Sequence, residues 1–80
     1  MYILEVSNMK REILTKFGNK VRERRLKLGL SQEELASRAG VHRTYIGMIE
    51  RAEKNITLEN IEKIAKALEI PIDKLMNLEK

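Results

Sequence analysis

Arg43, Thr44 and Tyr45 place a guanidinium, a hydroxyl and a phenol on three consecutive residues, the groups in this chain best suited to reading the edge of a base pair. An arginine can donate two parallel hydrogen bonds to O6 and N7 of guanine, a contact worth roughly 1–3 kcal/mol of discrimination. Thr44 can touch a thymine methyl or a phosphate, and Tyr45 offers a flat apolar face with a hydroxyl at its tip. Other polar groups fall at helix starts, where unpaired N–H groups and the positive end of the helix dipole favour phosphate. Gln32 begins one helix and can also brace a neighbouring side chain or reach a base. His42 precedes the triplet as a polar cap or phosphate neighbour. Arg51 lies two turns beyond Arg43 on roughly the same face. Asn55 and Thr57 sit in a polar connector that leads into a further helix.

Other chemistries lack their residues. With no cysteine and a single histidine, the chain has no thiolate metal site and no zinc site of its own. Glu33 and Glu34 are adjacent, so they point apart on a helix and cannot act as a carboxylate pair. No nucleophile–base pair and no glycine-rich phosphate cradle is present. The expectation is a protein that is not an enzyme, with no metal and no cofactor.

The segment Ser31–Arg51, SQEELASRAGVHRTYIGMIER, must position these groups. Ser31 can cap a helix, and Glu34 three residues later completes a capping box. Leu35, Ala36 and Ala39 form a narrow apolar stripe, and Ala36 is small enough for a second helix to approach. Gly40 suits the left-handed exit from that helix. Val41, Ile46 and Ile49 supply the next apolar face at helical spacing. This layout predicts a helix-turn-helix, whose second helix crosses the first and projects its N-terminal end outward. Gly47 is costly in a helix interior, about 1 kcal/mol relative to alanine; either it lets the helix approach DNA closely or nothing selects against it, and the sequence alone does not choose.

Eighty residues with a net charge of +4 make one small domain. The charge is uneven. Between Lys10 and Lys27 eight basic residues face only Glu12 and Glu23, whereas from Ala52 onward five lysines face six acids. A positive segment beside a helix-turn-helix favours a polyanion, with Arg22, Lys27 and Arg38 adding to the field. The lack of cysteine and of any apolar run long enough to span a bilayer points to the cytoplasm and to no membrane partner.

Residues 1–8, MYILEVSN, form a short extension expected to fray, to pack on the body or to contact a second subunit, and residues 9–80 form the domain. A helix is expected from about Met9 to Leu28, with Leu14, Phe17, Val21 and Leu28 on one face and Gly29 as its stop. Arg25 falls in the middle of that stripe and needs a partner. Glu50, four residues after Ile46, is the candidate, giving a structural ion pair between the first helix and the recognition helix. Thr57 caps a fourth helix carrying Leu58, Ile61, Ile64, Ala65 and Leu68. Pro71 opens a fifth, carrying Ile72, Leu75, Met76 and Leu78. The fold class is therefore all-α, a five-helix bundle. Leu68, Ile70, Ile72, Leu75, Met76 and Leu78 are more apolar surface than a small domain needs, and predict a homodimer interface.

From Phe17 to Leu78 the chain resembles the repressor-like helix-turn-helix family of the Cro-repressor or xenobiotic-response-element type. The resemblance rests on GLSQEELA (Gly29–Ala36), the Gly40-Val41 turn, IER (Ile49–Arg51) and LEI-P-IDKL (Leu68–Leu75). Within that family, RTYIGMIER followed by Asn55-Ile56-Thr57 is most similar to the controller proteins of restriction–modification systems. In those proteins an Arg-Thr-Tyr triplet opens the recognition helix and an Asn-x-Thr loop leads into helix four. Gly47, where a hydroxyl side chain can occur, and the first eight residues depart from the pattern.

The resemblance implies a five-helix DNA-binding domain and a dimeric transcriptional regulator that binds double-stranded DNA. It also implies an inverted-repeat operator upstream of its own gene and an endonuclease gene. Activation at low occupancy would bring a contact with RNA polymerase. A phage-type repressor or an antitoxin would use the same residues, and a protein-interaction adaptor that never touches DNA is the alternative from another class.

Overall fold

A computed structural model describes the backbone of residues 2–78 and the side chains of residues 12–78. Among the described residues all regular structure is helical: α1 (Tyr2–Lys27), α2 (Gln32–Ala39), α3 (Arg43–Glu50), α4 (Leu58–Ala67) and α5 (Ile72–Leu75). The helix expected from about Met9 begins instead at Tyr2, so the boundary drawn after residue 8 falls inside α1. The side chains of the Met1–Asn8 segment lie outside the described residues. The fifth helix is also shorter than expected. Pro71, with φ fixed at −60°, is its N-cap, Met76 caps its end and Leu78 lies beyond it.

Each boundary has a local cause. Ser31 Oγ accepts from Glu34 N at 3.0 Å, while Glu34 Oε1 accepts from Ser31 N at 2.8 Å, a reciprocal capping box that starts α2. The Ser31 backbone N–H, and after it the Ser31 side chain, hold the Glu34 carboxyl below its ordinary pKa. Thr57 Oγ1 accepts from Asn60 N at 3.1 Å and starts α4. Four helices close by one device, a left-handed residue that turns two amides back onto the last turn. Gly29 and Gly40 take this conformation at φ 73°, and Ala52 and Glu69 take it at φ 61° and 57°. After α1, Leu30 N donates to Arg25 O and Gly29 N to Leu26 O, each at 3.0 Å.

The core lies where α1, α3 and α4 converge with α2. Val21, Leu35, Ile46, Ile49, Ile64, Leu68 and Leu75 are essentially without solvent contact. α3 packs on both α1 and α2, α4 on α2 and α5, and α5 returns to α1. The contact of α1 with α3 is close at Gly18. A Cβ at Gly18 would fall on the backbone carbonyl oxygen of Ile49 and lie 3.1 Å from that of Glu50. Backbone cannot swing aside, so residue 18 must be glycine for α1 to reach α3 at this depth.

Arg24 fastens the other end of α1, where its Nε donates to Leu68 O at 2.9 Å and its Nη2 to Glu69 O at 3.0 Å, covering the end of α4. Gly18→Ala should therefore cost about 1–3 kcal/mol through overpacking. That is a fall in Tm on the order of 5–15 °C for a domain this size, read by circular dichroism melting. An unchanged Tm would mean that α1 can slide on α3.

Candidate nucleic-acid interface

α3 is eight residues long and turns its N-terminal end outward. His42 caps it, with Nδ1 accepting from Thr44 N at 3.1 Å. An accepting Nδ1 leaves Nε2 as the proton-bearing nitrogen. Ile46 and Ile49 anchor the helix in the core, and Arg43 and Thr44 are thereby placed on the exposed side. Tyr45 is half-buried against the core, and its Oη accepts from Asn60 Nδ2 at 2.9 Å. The phenol is thus oriented by α4, and its own hydroxyl proton stays available for donation.

Beside this edge runs an open groove of about 520 Å³, whose lining includes Gln32 and Glu33 of α2 and Arg43, Thr44 and Gly47 of α3, with Arg51 just beyond. Its lining also includes Arg25, which with Gln32 belongs to a buried polar cluster centred on Glu50. Arg25 Nε donates to Glu50 Oε2 at 2.7 Å and Arg25 Nη2 to Glu50 Oε1 at 3.0 Å. Gln32 Nε2 donates to the same Oε1 at 3.0 Å. Arg25 Nη1 donates to Leu30 O at 2.8 Å. The side chains of Arg25 and Glu50 are only 9% and 4% exposed, which makes this a desolvated pair. The bond to Glu50 outweighs burial and raises the Arg25 pKa above its ordinary value. No buried side-chain nitrogen or oxygen among the described residues lacks a partner.

Arg51 caps the end of α3 and pairs with Glu53, Nε to Oε2 at 3.2 Å, with both side chains more than half exposed. Such a pair contributes little to stability and leaves the guanidinium free to re-aim. Gln32, Arg43, Thr44 and Arg51 therefore line one groove, and His42 lies in a neighbouring depression with Glu33 and Arg43, while Tyr45 packs against the core with its hydroxyl on Asn60. Asn55 is exposed in the connector after α3, and Thr57 is engaged as the cap of α4. Neither lines the groove.

The apolar residues assigned to a dimer interface divide in two. Leu68 and Leu75 are 0% exposed and belong to the chain's own core, which corrects their assignment. They are buried because α5 folds back on α1 and α4. Ile72 and Met76 remain 43% and 38% exposed, and Ile70 and Leu78 are half-buried against the core.

Three positions escaped the sequence reading. Gly18 carried no pattern, since the backbone it touches is thirty-one residues away in the chain. Asn60 and Arg24 likewise act on distant elements, and no local spacing marks them.

Among the described residues, no helix is long and apolar enough to cross a membrane, and no group of three or more histidine or carboxylate side chains could hold a metal ion. Residues 21–75 match the model of the helix-turn-helix family, and the chain belongs to that family. Within it the chain is similar to restriction–modification control proteins. It is 58% identical over 53 residues to control protein C.BamHI of Bacillus amyloliquefaciens, a stretch covering 65% of each chain. It is 39% identical over 67 residues to control protein C.MunI of a Mycoplasma species, covering 82% of this chain and 90% of that one. The match thus spans just under two thirds of the first relative's length and most of the second's. The crystal structure of the restriction-modification controller protein C.AhdI from Aeromonas hydrophila superposes with a TM-score of 0.76 at 48% identity. That superposition covers 78% of this chain and 94% of that one.

Removing one partner of the buried pair exposes its importance. Glu50→Ala leaves Arg25 buried without its carboxylate and should cost about 3–5 kcal/mol in urea denaturation. A loss below 1 kcal/mol would show that water replaces the carboxylate at no penalty.

Proposed function

We propose that this chain is a sequence-specific DNA-binding transcriptional regulator of the restriction–modification control type, acting in the cytoplasm as a homodimer on an inverted-repeat operator. The observation that carries the reading is the outward leading edge of α3, with Arg43 and Thr44 exposed beside a groove and fixed from beneath by Glu50. An α-helix presented this way enters the major groove and brings its first residues to base edges. Arg43 donates to guanine, Thr44 meets a thymine methyl or a phosphate, and Tyr45 offers its oriented hydroxyl. The start of α2, with Gln32, and His42 take phosphates on either side. Asn55 and Thr57 reach the backbone farther along the duplex, and Arg51 adds a second cation at the end of α3.

A second copy docks through Ile72 and Met76, helped by Ile70 and Leu78. Two-fold symmetry then sets the recognition helices about 34 Å apart, one turn of DNA. Phosphate contacts from both subunits make affinity fall steeply with salt. The operator lies upstream of the regulator's own gene and an endonuclease gene, where sites of different affinity give activation first and repression later. Activation includes a contact with RNA polymerase.

Electrophoretic shift on the DNA upstream of its own gene should give a discrete complex that resists nonspecific competitor. Arg43→Ala should weaken that complex at least tenfold, the equivalent of about 1.4 kcal/mol, while nonspecific binding changes little. Equal losses on both DNAs would make Arg43 a phosphate contact. In sedimentation at micromolar concentration the protein should run as a dimer and Met76→Asp as a monomer. A monomer for the unaltered chain would remove the two-fold model.

A further inference from the structure

Two buried glycines lie in helices of this protein, and they differ in what surrounds them. At Gly18 an added Cβ meets backbone, so packing alone demands glycine. At Gly47 the Cβ would lie 3.0 Å from Arg51 Nη1, the movable end of a side chain, and 3.5 Å from Gln32 Oε1, an ordinary contact. The fold therefore has no need of glycine at 47, and a helix interior disfavours it. What the missing side chain does is make room. The Arg51 guanidinium folds back over Gly47 toward the start of α3, with its Cζ 3.8 Å from where a Cβ would stand. Gln32 is fixed beside it because its Nε2 is committed to Glu50.

Arg43, Gly47 and Arg51 follow one another at intervals of four residues and so form one stripe facing the groove. With Arg51 folded back, its guanidinium stands about one helical turn from the position of Arg43, about 5.4 Å. Base pairs are stacked about 3.4 Å apart, so two such groups reach guanines one or two steps from each other. A side chain at 47 would push the guanidinium toward the end of α3. There it would meet the phosphate backbone, which carries no base identity.

We infer that Gly47 is a specificity-determining residue: its empty face admits the Arg51 guanidinium beside Arg43, so that the two arginines read two neighbouring guanines in each half-site. This rests on the DNA-binding reading and adds to it a base contact and the reason for the glycine.

The test is selection from a duplex pool randomised across one half-site, using the unaltered protein, Arg43→Ala, Gly47→Ala, Gly47→Ser, Arg51→Ala and Arg51→Lys, with melting curves for each. The unaltered protein should enrich guanine at two positions within two steps of one another. Arg43→Ala should lose the first. The four variants at 47 and 51 should each lose the second by at least fivefold and keep the first, while Gly47→Ala melts at or above the unaltered protein. Arg51→Lys leaves the backbone untouched and removes only the two-pronged donor, so it decides the matter should the variants at 47 fold poorly. Retention of both guanines by Gly47→Ala and Gly47→Ser overturns the inference, as does a selected sequence that does not respond to Arg51. In both cases the unaltered protein still selects a sequence and the DNA-binding reading stands. Failure of the unaltered protein to enrich any sequence overturns both.

Discussion

Glu50 accepts three hydrogen bonds from two helices other than its own: two from Arg25 of α1 and one from Gln32 of α2. A carboxylate this enclosed is tolerable only because its lone pairs are met, and Arg25 is tolerable only because Glu50 and the Leu30 carbonyl meet its protons. An apolar contact would tolerate a small rotation of α3, whereas a forked guanidinium–carboxylate pair does not. The pitch of the recognition helix against α1 and α2 is thereby set with an accuracy that burial of Ile46 and Ile49 alone would not give.

The outer surface inherits that accuracy. α3 is only eight residues long, too short to be stable alone in water, so its shape comes from its anchors. Gly18 lets α1 press onto its C-terminal end, Asn60 steadies Tyr45 from α4, and His42 closes its first turn. Arg43 and Thr44 stand free on a helix held at both ends and from below. This suits a probe that meets its ligand with little reorganisation, because the ordering cost has already been met in folding.

Much of this was legible in the sequence because the cues were local. The capping box at Ser31 and Glu34, the exit at Gly40, the cap at Thr57 and the apolar period of α4 all work within a few residues, and the structure has each of them. Arg25 with Glu50 was also legible, for a reason that is not local: a charge in the middle of an apolar stripe demands a partner, and few acids stood at interior register. What stayed hidden depends on how elements meet. Whether Leu68 and Leu75 face a partner or their own core depends on α5 folding back, which no hydropathy pattern records. The start of α1 was hidden differently, since the helix runs on through residues 2–8, which the sequence left as an extension.

The enclosed position of Glu50 also bears on how much intact protein a cell would hold. A domain of this size has a small margin of stability, and a chain that spends more time open is removed by proteases. Sequence drift that loosens the Arg25–Glu50 contact would lower the abundance of intact protein before it altered any base preference. Were the chain a regulator that works in pairs, as proposed, the concentration of the active species would fall as the square of that of the single chain well below its association midpoint. A modest loss of interior order would then reach the promoter amplified, as a change in timing with no change of target.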